Sequence, residues 1–313
     1  MRVLVSGAAG YLGTQVVGEL IARNVNVVAA ARSPVLAHPD VPSVTMDLRF
    51  PFDTFKTLER TRPDGVIALA YTRTDAARKN PQLAMETNVT GTNALFDACA
   101  TLEIPVVVYS SSINVYGLQS DFGNVAITED MHGRPRTLYG WTKQLNEALA
   151  EHYNASSRTR FVGIRYSGIH GQGKPNGFNP FDRIVDAASI PTSVTLPWSS
   201  SLEISFLHVR DAARIAVDLV MAGTTRSSIY NSGGEVLTLG QIGATATELS
   251  GVTVQGTEPG EEIQAVSRVD NSRLTTEFAF RLGTAKEWFV RDLALLGSRR
   301  MDRLVAGSSP IQG

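Results

Sequence analysis

The run Gly7-Ala8-Ala9-Gly10-Tyr11-Leu12-Gly13 limits what this chain can fold into more than any other stretch. Residues 2–6 before it form a short apolar run typical of a strand buried on both faces. Residues 14–23 after it carry Val16, Val17, Leu20 and Ile21, which is helical spacing. A second buried strand over 25–31 completes a βαβ unit. Within such a unit the three glycines have separate tasks. Gly7 permits the tight turn, Gly10 lets the backbone approach a pyrophosphate, and Gly13 lets the helix pack closely on the strand. Tyr11 and Leu12 belong to the same turn. Free N–H groups at the helix start favour an anion. A glycine-rich turn with only a packing role would hold the same residues, but the strand before it and the helix after it favour a dinucleotide site.

The alternation continues along the chain. Strands are expected over 44–48, 65–70, 106–110 and 161–166, and helices over 55–61, 81–102 and 138–153. This pattern predicts an α/β protein, a Rossmann-like doubly wound parallel sheet with a smaller, mixed C-terminal substrate-binding region. The dinucleotide-binding domain is placed at 1–167, with 206–235 returning to it as a further strand and helix. Residues 168–205 and 236–306 form the substrate-binding region, the first of them opening as a loop over 168–179, and 307–313 form a disordered tail. With 313 residues the chain is long for one compact domain and short for two independent ones.

Charge and cysteine usage exclude some partners. Lysine and arginine total 29 against 30 acidic residues, a net charge of −1. No global field therefore directs the chain to nucleic acid or to an anionic membrane. Cys99 is the one cysteine. It lies in an apolar helical pattern, where a buried inert thiol is expected. Residues 1–9 have the flavour of a signal peptide, but the run is too short and continues as the glycine turn. No apolar stretch reaches the ~18 residues a membrane span needs, so a cytoplasmic protein is expected. His132, His152 and His208 show no metal-ligand spacing, and no metal is expected.

The chemistry is expected further along. The strand over 106–110 runs into Ser110-Ser111-Ser112. Tyr139-Gly140-Trp141-Thr142-Lys143 then places a phenol and an ammonium four apart, on one helix face. A phenol titrates near ~10 in water. An ammonium a few ångströms away, with a positive nicotinamide ring, would stabilise phenolate and lower that value, so the tyrosine works as acid or base near neutrality. Ser112 would hydrogen-bond the reacting oxygen. Tyr-x-x-x-Lys alone is common on surface helices; the serine and the glycine turn give it the functional reading. At the end of the second strand, Arg32 and Ser33 follow Ala31. An acid here would take a ribose 2′-OH, whereas an arginine and a hydroxyl suit a 2′-phosphate, so NADP is favoured over NAD. Asp47 could accept from an adenine amine with Leu48 packed on the ring, or could simply cap a helix.

Together these residues resemble the extended short-chain dehydrogenase/reductase family, the branch of NAD(P)-dependent sugar epimerases and dehydratases. The resemblance spans nearly the whole chain, strongest over 1–170 and weak after 235. It implies that Gly7, Gly10 and Gly13 hold the pyrophosphate and that Asp47 and Leu48 hold the adenine. Ala68 and Ala70 would line the fourth strand's cofactor edge. Asn88, in Thr87-Asn88-Val89-Thr90-Gly91-Thr92, would steady the sheet near the cofactor. Ser112, Tyr139 and Lys143 match the catalytic trio. Ser110 and Tyr166 join Tyr139 and Lys143 as cofactor contacts. A homodimer through the helices at 81–102 and 138–153 is implied too.

The chain also departs from that pattern. Sugar 4,6-dehydratases of the family carry an Asp-Glu pair where this chain has Ile113 and Asn114, neither able to shuttle a proton. Nucleotide-sugar enzymes show Arg-x-x-Asn where this chain has Arg165-Tyr166-Ser167-Gly168. They often show Arg-Asp-Tyr/Phe-Ile-His-Val where this chain has Ile204-Ser205-Phe206-Leu207-His208-Val209, so Gly168 and Ile204 stand where the resemblance implies a diphosphate-binding asparagine and arginine. Asn114, Arg134 and His170 remain as candidates for touching substrate. The expected function is an NAD(P)-dependent oxidoreductase that interconverts a secondary alcohol and a ketone on a small sugar-like, polyol or ketone substrate. A (nucleotide-)sugar epimerase using transient oxidation is the alternative, and a non-catalytic dinucleotide-binding regulator the third reading.

Overall fold

The apolar runs become strands that assemble in a fixed order. The computed structural model describes residues 1–33, 38–174, 183–184, 193–260 and 265–306, with side chains to 295. In chain order the strands are β1 (Arg2–Ser6), β2 (Asn26–Ala31), β3 (Ser43–Thr45), β4 (Gly65–Ala68), β5 (Val106–Ser112), β6 (Arg160–Tyr166), β7 (Gly168–His170), β8 (Ser193–Thr195), β9 (Glu203–His208), β10 (Ile229–Asn231), β11 (Glu235–Thr238) and β12 (Thr253–Gln255). The large sheet has seven strands in the order β10-β6-β5-β4-β1-β2-β3. All its pairings are parallel. The order reverses between β1 and β4, which is where open α/β sheets leave a crevice for a ligand.

Helices cover both faces. On one, α1 (Tyr11–Ala22) packs with α7 (Val209–Met221). Val16, Val17 and Leu20 of α1 meet Ile215, Ala216 and Leu219 of α7 in one buried core. On the other, α2 (Pro51–Thr61), α5 (Thr92–Thr101) and α6 (Leu138–Ser156) supply Leu58, Leu95, Phe96, Cys99 and Ala150. Between α2 and α5 lie the short helices α3 (Thr74–Lys79) and α4 (Pro81–Met85). The C-terminal part has its own core. There β9 pairs with β7 and β11, β8 pairs with β12, and helices α8 (Leu239–Ser250), α9 (Ser272–Phe278) and α10 (Ala285–Ala306) follow. Trp198, Ile204, Phe206, Ile242 and Phe289 fill that core. Among the described residues no helix is long and apolar enough to cross a membrane.

Three differences from the sequence pattern have physical causes. The helix expected over 81–102 is divided: a π-helical turn, Glu86–Gly91, joins α4 to α5. It lies around Asn88, whose side chain bonds outward to another segment; such turns recur at functional sites. The stretch beginning at 168, read as loop from its glycines, opens with β7, because β9 offers Phe206 to His208 as a pairing partner. Residues 175–179 of that loop and the tail at 307–313 lie outside the described residues. The strand expected over 206–209 belongs to the smaller sheet, and only α7 and β10 go back to the large one.

A largely buried ion pair, its side chains 12% and 14% exposed, ties the layers together beneath the strand ends. Arg165 of β6 donates to Glu147 of α6 through Nε (2.9 Å) and Nη2 (2.8 Å). Ser111 of β5 donates to the same carboxylate at 2.5 Å. The remaining guanidinium nitrogen donates to Tyr116 Oη (2.7 Å) and to the Glu129 carbonyl (3.0 Å). Burial works against the Arg165 charge, but Glu147 outweighs it and keeps the guanidinium ionised. Removing one partner of a buried pair strands the other charge, at a cost of about 3–5 kcal/mol. Glu147→Ala should therefore lose that much stability in urea denaturation at pH 7. A loss below about 1 kcal/mol would show that water reaches Arg165 and replaces the carboxylate.

Candidate active site

All seven residues of β5 are buried, and the strand ends at Ser112. A single 3-10 turn, Ile113–Val115, follows, in which the Asn114 backbone N–H and side-chain amide both donate to Ser112 Oγ at 3.2 Å. Across from it α6 begins. Thr137 caps the helix, its hydroxyl accepting from Gly140 N at 3.0 Å. That cap sets the first turn, so Tyr139 and, one turn on, Lys143 face the end of β5. The Lys143 ammonium donates to the Ser110 carbonyl (2.6 Å) and hydroxyl (3.2 Å). It lies 5.6 Å from the Tyr139 ring centroid. Ser112, Tyr139 and Lys143 are 7%, 7% and 3% exposed, so the trio is brought together and nearly sealed.

That sealing changes the electrostatics expected from the sequence. The Tyr139 phenol is pushed well above its ordinary value by burial, against which the Ser112 hydroxyl pulls only weakly. Lys143 is pushed down to about 7 by burial, with the Glu147 carboxylate opposing. The expected low phenol value therefore does not hold in the chain alone. Desolvation disfavours both charges, and it outweighs a lysine that is itself half-neutral at pH 7.

The cofactor candidates line the crevice between β1 and β4. Gly7 adopts φ +74°, and a Cβ there would meet Ala70 N at 2.8 Å; one on Gly13 would meet Gly7 O at 2.2 Å. No side chain caps the first turn of α1, and no acidic residue occupies it. Tyr11 and Leu12 are half-buried. Ala68 is buried and Ala70 half-buried at the β4 edge. Asn88, fully buried, clamps Thr72 from both sides, accepting from its N–H (2.6 Å) and donating to its carbonyl (2.9 Å). Tyr166 is buried and donates to the Ala212 carbonyl at 3.1 Å.

Beyond β2 and β3 opens a cleft of about 550 Å3, lined by Arg32, Asp47, Phe50, Lys56 and Arg60 among others. Arg32 and Ser33 are exposed there. Asp47 pairs with Arg49 at 2.6 Å, and that hydrogen bond holds its carboxyl below the usual range. Leu48 is buried against Gly91. A turn without room for a Cβ, an uncapped helix start and a cleft that sets Arg32, Lys56 and Arg60 beside Asp47 and Asp53 fit a dinucleotide.

The substrate candidates do not form one cluster. Asn114 adjoins Ser112, as its hydrogen bonds show. Arg134 stands exposed. His170 is fully buried in the smaller sheet, its ring stacked on Phe206 at 5.3 Å. Three residues at the site were not picked out from sequence. Glu147 lies four after Lys143, a spacing that shares a helix face and could have been noticed. Arg165 was quoted only as part of a motif. Tyr71, just beyond β4, had no signal: a lone aromatic at a strand end looks like any other.

The depressed Lys143 value has a consequence for stability. Between about pH 7 and pH 10 the lysine of the unfolded chain stays protonated while the buried one does not. Unfolding then takes up a proton, and stability rises with pH across that window, by at most about 1.4 kcal/mol per pH unit for one proton. Lys143→Met should flatten this slope. Urea midpoints at pH 7 and pH 9 for both proteins check it, and equal slopes would show that Lys143 is charged in the folded chain.

Comparison with known proteins places this geometry. The NAD dependent epimerase/dehydratase family matches residues 3–233. The UDP-glucose 4-epimerase of Lactobacillus helveticus is 29% identical over 177 residues, covering 55% of this chain and 52% of its own. The match thus spans about half the length of that curated relative. Among solved structures, the GalE-like L-threonine dehydrogenase from Cupriavidus necator superposes with a TM-score of 0.85 at 21% identity, covering 94% of this chain and 99% of its own. The Thermus thermophilus UDP-glucose 4-epimerase in complex with NAD gives 0.78 at 22% identity, covering 94% and 98%. At such identities these structures speak for the fold. The glycine turn, the strand order and the serine, tyrosine and lysine at the strand ends all fall within the matched residues, and the chain belongs to the NAD dependent epimerase/dehydratase family of enzymes.

Proposed function

We propose that this chain is an NADP-preferring oxidoreductase that interconverts a secondary alcohol and a ketone on a small sugar-like, polyol or ketone substrate. The observation that carries this reading is the sealed trio at the strand ends, with Lys143 fixed by Ser110 and set beside Tyr139. Gly7, Gly10 and Gly13 would hold the pyrophosphate of a dinucleotide, whose nicotinamide would supply or accept the hydride. Ser112 orients the reacting oxygen, and Tyr139 gives or takes its proton. Lys143, poised near neutrality, brings positive charge to the phenol when protonated. A purely regulatory dinucleotide-binding role leaves this trio without a task.

A small substrate is favoured by what the diphosphate positions hold. Ile204 is 5% exposed within the C-terminal core, and Gly168 has no side chain. Arg165 is committed to Glu147, and Arg136 to Asp121 at 2.9 Å. A buried diphosphate needs fixed cationic donors, and arginine is the usual one. The C. necator neighbour, by its name a dehydrogenase of L-threonine, supports a small substrate on this fold. The epimerase reading stays second because the L. helveticus relative is named for that activity. Residues 168–205 and 236–306 are assigned to reading the substrate. For the cofactor, Arg32, Lys56 and Arg60 around one cleft suit a 2′-phosphate. We include the homodimer in the same proposal: Leu138, Trp141 and Leu145 form an exposed apolar stripe on α6. A protein that sediments only as monomer at micromolar concentration would remove it.

One set of assays tests the rest. NADPH and NADH oxidation is followed with small ketones and with UDP-glucose, for the wild type, Tyr139→Phe and Arg32→Ala. Tyr139→Phe should lose ~10²–10⁴-fold in turnover with cofactor affinity kept. Arg32→Ala should weaken NADPH by about tenfold to a hundredfold, a charge-assisted bond of roughly 1.5–3 kcal/mol, and barely change NADH. Near-normal turnover in the phenylalanine variant would sink the trio. Equal wild-type affinities would sink the NADP preference. Conversion of UDP-glucose without net cofactor use would pass the lead to the epimerase.

A further inference from the structure

The residue set against the trio is Tyr71, which directly follows Leu69 and Ala70 after β4. The Lys143 ammonium stands 4.3 Å from the Tyr71 ring centroid, closer than it stands to Tyr139. The two tyrosine rings are 5.7 Å apart and tilted by 42°. Burial raises the Tyr71 phenol, and Tyr71 in turn bears on the ionisation of Tyr139 and Tyr166. Tyr71 itself is half-buried, whereas Ser112, Tyr139 and Lys143 are at most 7% exposed. With its ring against Lys143 and Tyr139, it stands on the more open side of the trio.

Any oxygen that reacts at Tyr139 must touch its hydroxyl, so something over the trio has to give way. The backbone beside Tyr71 is held: Asn88 grips both the N–H and the carbonyl of Thr72. Gly7 presses on the backbone of Leu69 and Ala70, where a Cβ would come within 2.9 Å of Leu69 C. Movement is thereby restricted to the side chain, turning about its own bonds. A dinucleotide laid across the β1–β4 crevice runs from the cleft at Arg32 to the trio. Its adenine half lies at the open cleft, and its nicotinamide half arrives where Tyr71 stands.

We propose that Tyr71 is a positioning residue of the reaction centre that holds the places over Lys143 and beside Tyr139 until the nicotinamide half of a dinucleotide displaces it. The inference rests on the dinucleotide reading above. It predicts that binding divides into two parts. The adenine half docks without disturbing Tyr71, and the nicotinamide half must first break a cation–π contact and move the ring away from Tyr139.

The test compares NADH with ADP-ribose, which lacks the nicotinamide, by calorimetric titration of the wild type, Tyr71→Phe and Tyr71→Ala. Tyr71→Ala should bind NADH roughly tenfold more tightly, the order expected for losing one desolvated cation–π contact. Tyr71→Phe, which keeps the ring over Lys143, should bind NADH within about twofold of the wild type. ADP-ribose should bind all three alike, and this also reports an intact fold. If the alanine variant loses ADP-ribose binding, Tyr71→Leu, which also removes the ring, takes its place: a gain for NADH supports the proposal and no gain overturns it. Unchanged or weaker NADH binding in Tyr71→Ala, with ADP-ribose unaffected, overturns the proposal and leaves the dinucleotide reading standing. Failure of the wild type to bind either ligand removes the dinucleotide reading and Tyr71's role with it.

Discussion

The pair between Arg165 and Glu147 is the constraint on which the strand ends depend. It joins β6 to α6, and through Ser111 it reaches β5, so the elements that carry Ser112, Tyr139 and Lys143 share one set of bonds. A buried pair contributes only when the leftover donors and acceptors are also satisfied. Here they are. Tyr116 accepts from Arg165 and donates to Asn231 Oδ1 at 2.7 Å, and the Asn231 backbone N–H donates to Glu129 at 2.8 Å. The network thus extends to β10, the edge strand that returns from far along the chain. Glu147 also supports the charge on Lys143, so one carboxylate serves both the frame and the site.

Burial and charge oppose each other at the trio, and burial prevails in the chain alone. The sequence suggested a phenol held low by a nearby ammonium. Packing supplies a different balance: Tyr139 rises, Lys143 falls, and neither is charged cheaply. A cationic ring brought into this low-dielectric space would act on the phenol far more strongly than it would in water.

The large sheet was legible because its strands are short apolar runs separated by helical spacing, and parallel strands buried on both faces read that way. The glycine turn and the Tyr139 and Lys143 pair were legible because each is local, a few residues with fixed offsets. What escaped the sequence is non-local. Tyr71, in the segment after β4, meets Lys143 of α6 across more than seventy residues of chain. The β7 strand forms only because β9 lies beside it, and its glycine and histidine carry no strand propensity of their own. His170 looked like a loop residue for the same reason, and packing on Phe206 decided otherwise. The π turn was hidden because a helix with one surplus residue has the same composition as one without.

That surplus residue has a mechanical meaning. Each residue of an α-helix advances about 100° around its axis. The Glu86–Gly91 turn therefore puts α5 out of phase with α4. Within the turn itself, Asn88 is aligned to reach Thr72 beyond the end of β4. Downstream, the rod is aligned so that Leu95, Phe96 and Cys99 enter the core, while Gly91 lets Leu48 lie against the axis. The rod works as two cams on one shaft, each cut to its own follower. Sequence drift on the packing half can then proceed without turning Asn88 away from the crevice.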